Sequence, residues 1–135
     1  MTSFKKSSIR SQAEIAIHAI CGAYLLVAYS DGQFAPVEEG RLISELAADE
    51  AFKRFEQAVL AAEMAELMQA FPDDYEATAL DVLVSIASIK EQEVERRAVK
   101  HAARVAVIAD QAISPQEEHA LDRIAMALGL EKGAL

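Results

Sequence analysis

Apolar residues recur at spacings of three and four through most of the chain, the signature of one helical face. No segment alternates apolar and polar positions as a half-buried strand would, so the pattern predicts an all-α fold. The first helix should run from Ser11, an N-cap with Glu14 three residues on, to about Tyr29. Apolar residues surround it almost completely, which marks a central, largely buried helix. Asp31-Gly32 stops it, and a short second helix opens at Pro36 with Leu42, Ile43 and Leu46 facing inward. A third, about Asp49 to Ala70, shows Phe52, Phe55, Val59, Leu67 and Phe71 on one face, before Phe71-Pro72-Asp73-Asp74 breaks it. The fourth, about Asp74 to Ile89, presents Leu80, Leu83, Val84 and Ala87. A polar joint, Glu91 to Glu95, forms either a turn or one more short helix. The fifth, about Val94 to Ala109, shows Ala98, Ala102, Val105 and Ile108. The sixth, Pro115 to Leu128, shows Leu121, Ile124, Ala125 and Leu128, and Gly129 ends it. The expectation is a single-domain bundle of six to seven helices over residues 11–135, behind a polar, basic, flexible leader at residues 1–10.

The same pattern contains a repeat. Asp31-Gly32-Gln33-Phe34-Ala35-Pro36-Val37-Glu38-Glu39 returns 79 positions later as Asp110-Gln111-Ala112-Ile113-Ser114-Pro115-Gln116-Glu117-Glu118. Aspartate, an apolar residue, proline and a Glu pair hold register in both. Each copy follows an apolar helix and opens another, so the chain reads as a duplicated helix–acidic turn–helix unit. Duplicated units complete each other's cores, which predicts that the two long helices before the turns are neighbours.

Composition narrows the function classes. The 135 residues carry 22 acidic and 13 basic side chains, a net charge of −9, which repels phosphate backbones and argues against nucleic acid. The uncharged run Ile15 to Ser30 is 16 residues, short of the roughly 20 that a spanning helix needs, so no membrane insertion is expected. Glu14 and His18 interrupt the pattern of an export signal, and the run is half of the repeat. One cysteine, Cys21, excludes an internal disulfide and fits a reducing compartment. Within an apolar helix it should be buried and unreactive. His18 reads as a satisfied core or boundary histidine, and His101 and His119 as helix-surface residues.

The acidic turns support two readings. In one they are caps: Ser114 and Glu117 form a capping box, and acids in a first turn meet the positive end of the helix dipole. Phe34 and Ile113, just before the caps, would staple each turn to the core. In the other reading, Asp31, Glu38, Asp110 and Glu117 converge at one end of the bundle. Carboxylates about 5 Å apart repel by about 3 kcal/mol at an effective dielectric near 20, so such a group would hold protons or a hard divalent cation, magnesium, calcium or manganese. An EF-hand does not fit, because Val27 and Tyr29 stand where its earlier carboxylates belong.

Ala28-x-x-Asp31-Gly32-x-Phe34-x-Pro36-x-Glu38-Glu39, Ile108-Ala109-Asp110 through Glu118, and Ile124-Ala125-x-x-Leu128-Gly129-Leu130 together resemble the TerB-type tellurite-resistance family. That family uses the motif Ala-Asp-Gly-x-Ile-(Ser/Thr)-x-x-Glu twice. The resemblance spans about residues 11–130, and the chain departs from it at Tyr29, Ser30, Ala35 and Gln111. It implies a cytoplasmic all-helical domain associated with tellurite resistance and stress, with Asp31, Glu38, Asp110 and Glu117 as the metal-binding cluster. The same module occurs attached to co-chaperone and membrane-associated proteins, which implies a protein partner. The leading expectation is therefore a non-enzymatic module acting through a cation, a partner protein, or both. The alternative is a small metal-assisted hydrolase built on paired carboxylates. No nucleophile paired with a base, zinc set or phosphate loop stands out to support catalysis.

Overall fold

The computed structural model describes residues 11–32, 44, 56–108 and 113–135. Every regular element among them is a helix: α1 (Gln12–Ala28), α2 (Gln57–Asp73), α3 (Tyr75–Ser88), α4 (Glu93–Ile108) and α5 (Pro115–Ala127). The helix expected from Pro36 and residues 49–55 of the expected third helix lie outside the described residues.

α1 is the axle. Ser11 starts it with a reciprocal capping box: its hydroxyl accepts from the Glu14 N–H (3.2 Å), and the Glu14 carboxylate accepts from the Ser11 N–H (2.9 Å). From Ala16 to Ala28 every residue is buried, and α1 packs against all four other described helices. A helix apolar all round survives in water only when so enclosed. Full burial of side chains such as Ile20, Leu25 and Leu26 contributes about 1.5–3 kcal/mol each. Its most extensive neighbour is α4, as expected for the two long helices, and α4 meets the core with small residues, among them Ala98, Val99, Ala102 and Ala103.

Three expectations need correction. α2 begins at Gln57 after an extended Glu56, and its buried stripe is Leu60, Met64, Leu67 and Phe71, with Val59 exposed. It also continues through Pro72 to Asp73, because proline in a last turn removes only one N–H from the ladder. In α3 the core face is Ala79, Val82 and Ile86, whereas Leu80, Val84 and Ala87 point to solvent. Both faces of that helix are apolar, so spacing alone could not choose between them. The joint takes one of the two forms expected of it, a turn at residues 89–92.

The far end of α5 follows the reading closely. Gly129 (φ +80°) closes a Schellman turn in which the Leu130 N–H reaches the Ala125 carbonyl (2.8 Å) and the Gly129 N–H reaches that of Met126 (3.0 Å).

Cys21 is fully buried with its sulfur 3.7 Å from the Leu60 carbonyl. Burial, reinforced by the nearby Glu63 charge, pushes the thiol far above its ordinary range. A thiol reagent should therefore label the native protein only at the rate of unfolding, and rapid stoichiometric labelling without denaturant would contradict the packing.

Candidate functional site at one end of the bundle

The first acidic turn grows directly out of the end of α1. Tyr29 to Gly32 form a tight turn in which the Gly32 N–H donates to the Tyr29 carbonyl (2.9 Å). Gly32 sits at φ +78°, a left-handed conformation that glycine adopts without strain. The last carbonyls of α1 are satisfied one by one. The Tyr29 N–H reaches Leu25 (2.8 Å), the Tyr75 hydroxyl reaches Leu26 (2.6 Å), and the Ser30 hydroxyl reaches Val27 (2.6 Å). Asp31 is half-buried in this turn.

An aromatic cluster fixes the turn's position. The Tyr29 ring stacks on Phe71 (centroids 5.8 Å apart, planes 10° apart), and Phe71 tilts against Tyr75 at 5.4 Å. Pro72, lacking an N–H, cannot use the Met68 carbonyl one turn back, and the Tyr29 hydroxyl donates to it at 3.4 Å. Burial pushes the Tyr75 hydroxyl up to about 12; Arg123 opposes this and Glu76 adds to it.

α5 supplies the second wall. Ser114 accepts from the Glu117 N–H (3.1 Å), the Glu117 carboxylate accepts from the Ser114 N–H (2.9 Å), and Pro115 takes the first helical position. Glu117 is 1% exposed, so the capping reading holds in the second turn. The staple does not: Ile113 is 53% exposed. Arg123, one helical turn and more beyond, grips Glu76 of α3 through two N–H···O bonds of 3.2 and 2.7 Å.

These pieces meet in one open cleft of about 360 Å³. Ser30 of the first turn lines it together with Pro115 and Gln116 of α5, Tyr75 and Glu76 of α3, and Arg123. The residues flanking Asp31 and Glu117 therefore share one cleft at one end of the bundle. Glu38 and Asp110 lie outside the described residues. Among the described residues no group of three or more His, Cys, Asp or Glu side chains could hold a metal ion.

A second polar assembly was only half legible in the sequence. His18, 1% exposed, has Nδ1 2.7 Å from the Ser85 hydroxyl and Nε2 3.4 Å from the Asp81 carboxylate. Asp81 and Ser85 sit four apart on α3, the spacing that stacks two side chains on one helical side, and that was the available signal. The residue types match a hydrolytic triad, but His18 is enclosed and Ser85 is 8% exposed, so no substrate reaches the hydroxyl. The assembly ties α1 to α3 and satisfies a buried imidazole.

Among the described residues no helix is long and apolar enough to cross a membrane. The family model described as "Tellurite resistance protein TerB" matches residues 15–135, a span that includes both acidic turns. Comparison with curated proteins and with solved structures gives no match.

Proposed function

The chain belongs to the TerB tellurite-resistance family, and on that premise we propose that it is a non-enzymatic, cytoplasmic module of tellurite and stress resistance that binds a divalent cation at its acidic end and presents that end to a protein partner. Asp31, Glu38, Asp110 and Glu117 are the proposed ligands, contributed by two copies of one helix–turn–helix unit, with Glu38 carried by a sixth helix opening at Pro36. The observation that carries this reading is the shared cleft, lined by Ser30 from one turn and Pro115 and Gln116 from the other. Hard carboxylate oxygens favour magnesium, calcium or manganese. Glu117 already holds the cap of α5 with one oxygen, so a cation shares it with the cap; waters complete the shell and affinity is modest. The hydroxyls in the cleft support a binding role over catalysis, because those of Ser30 and Tyr75 donate to backbone carbonyls and not to a general base. A surface of net charge −9 suits a cation or a basic protein patch over nucleic acid.

Thermal unfolding in magnesium, calcium and manganese tests the cation. At least one should raise the melting temperature saturably, and the Asp31→Ala/Asp110→Ala double variant should lose the rise. The variant's metal-free melting temperature should equal or exceed the parent's, since like charges no longer repel. A rise that survives the double substitution, or no rise with any of the three metals, returns both turns to capping alone.

A further inference from the structure

Among the described helices, charge is segregated. Arg123 is the one lysine or arginine on α1, α2, α3 and α5, whereas α4 carries Arg96, Arg97, Lys100 and Arg104. Arg96 donates to the Lys90 carbonyl (3.0 Å). The other three follow one another at spacings of three and four along the outer face of α4, a stripe about 10 Å long. The opposite face, with Ala98, Val99, Ala102 and Ala103, is buried, and α1 is its main neighbour. Arg97 and Arg104 are exposed and Lys100 is half-buried, and none of the three makes an ion pair or side-chain hydrogen bond among the described residues. Glu93, one turn before Arg97, is exposed and offsets part of its charge. No acid follows Glu95 in the helix, so Lys100 and Arg104 stand uncompensated within it.

We propose that this stripe docks an acidic segment of a partner protein, a run of Asp and Glu whose carboxylates repeat about every 5–7 Å along one side. Both arginines present planar forks that take a carboxylate through two parallel N–H···O bonds, with Lys100 as a point charge between them. Other anionic surfaces fit less well. A lipid bilayer takes up a helix by its apolar face, and that of α4 is already enclosed in the core. Nucleic acid spreads its charge beyond the stripe and meets the repulsion of a chain of net charge −9. A second copy of this chain offers no uncommitted run of carboxylates on its described helices. Glu14 and Glu117 close capping boxes, Glu76 holds Arg123, Asp81 lies 3.4 Å from His18, and Asp122 accepts from the Gly133 N–H (3.0 Å). A short acidic segment touches the stripe alone and gains its three cations without facing the acids elsewhere. This surface includes none of the four proposed cation ligands and needs no metal.

A fluorescein-labelled octaglutamate peptide, read by anisotropy in EDTA and about 20 mM salt, tests this. Titration with the intact chain should saturate, and binding should weaken severalfold when salt is raised to about 150 mM. Arg97→Ala/Lys100→Ala/Arg104→Ala should raise Kd about tenfold or more with an unchanged far-UV spectrum, since the three side chains lie outside the core. Arg104→Ala alone should raise it about threefold. Lys132→Ala, which removes one exposed cation outside the stripe, should leave it unchanged. Absence of saturation, a Kd indifferent to the triple substitution, or equal effects of Arg104→Ala and Lys132→Ala overturns the proposal. Tighter binding of phosphatidylserine vesicles or of an RNA oligonucleotide than of the peptide, or a dimer in sedimentation that the triple substitution abolishes, gives the stripe another occupant and overturns it as well.

Discussion

Replacing Phe71 with alanine should lower stability by about 3–5 kcal/mol, the cost of an emptied aromatic site in a core that cannot fully collapse. Phe71 is 1% exposed and touches both tyrosines that hold the cleft, so its cavity opens between Tyr29 and Tyr75. For a domain this size the loss lowers the melting temperature by roughly 10–20 °C. The effect should also be local. With its stacking partner gone, Tyr29 loses the contact that positions the turn, and the Gly32 amide, bonded to the Tyr29 carbonyl, should exchange faster than amides in α4. Urea unfolding measures the first effect and native-state hydrogen exchange the second. A loss below about 1 kcal/mol would mean that the cluster packs far less tightly than its distances indicate.

The second large effect comes from adding atoms. Gly22 lies in the middle of α1, where alanine would ordinarily stabilise a helix by about 0.5–1 kcal/mol. Here a methyl group would stand 2.5 Å from both Cγ atoms of Val82 and 3.1 Å from its Cβ. Valine in a helix has one strongly preferred rotamer and cannot swing aside, so α1 and α3 must separate. Overpacking of this kind costs about 1–3 kcal/mol, which outweighs the helix gain. Gly22→Ala should therefore destabilise, and Val82→Ala added to it should recover stability relative to the sum of the two single changes. Simple additivity in that double-mutant cycle would dismiss the contact.

The contrast between α1 and α3 explains what the sequence could and could not disclose. α1 was legible because its signals agree: a capping box at Ser11, apolar residues on all sides, and Asp31-Gly32 at its end. Ser114, Pro115 and Gly129 announced α5 for the same reason, each acting within its own turn of backbone. α3 was misread by face, since Leu80, Val84 and Ala87 satisfy helical spacing as well as Ala79, Val82 and Ile86 do. Only the neighbouring helices decide which set is inside. α2 was misplaced at its start, where the apolar pattern runs on across an extended Glu56. At the candidate site the sequence supplied residue types and symmetry. The shared cleft depends on Tyr29, Phe71 and Tyr75 meeting from three helices, and no local pattern encodes that. His18 offers the same lesson: a lone histidine in an apolar helix suggested a satisfied core residue, but its partners lie 63 and 67 positions away.

The central place of α1 also has a consequence in time. Its first residue precedes that of its chief neighbour α4 by roughly 80 positions. During synthesis at about 5–20 residues per second, this most apolar helix leaves the ribosome ahead of the other described helices and waits about 4–16 s for α4. Throughout that interval its uncharged run from Ile15 onward has at most α2 and α3 to cover it, and its most extensive partner is missing. Folding is thus gated by the last third of the chain, and truncation there should yield an aggregating product rather than a smaller bundle. The order of manufacture runs opposite to the order of need.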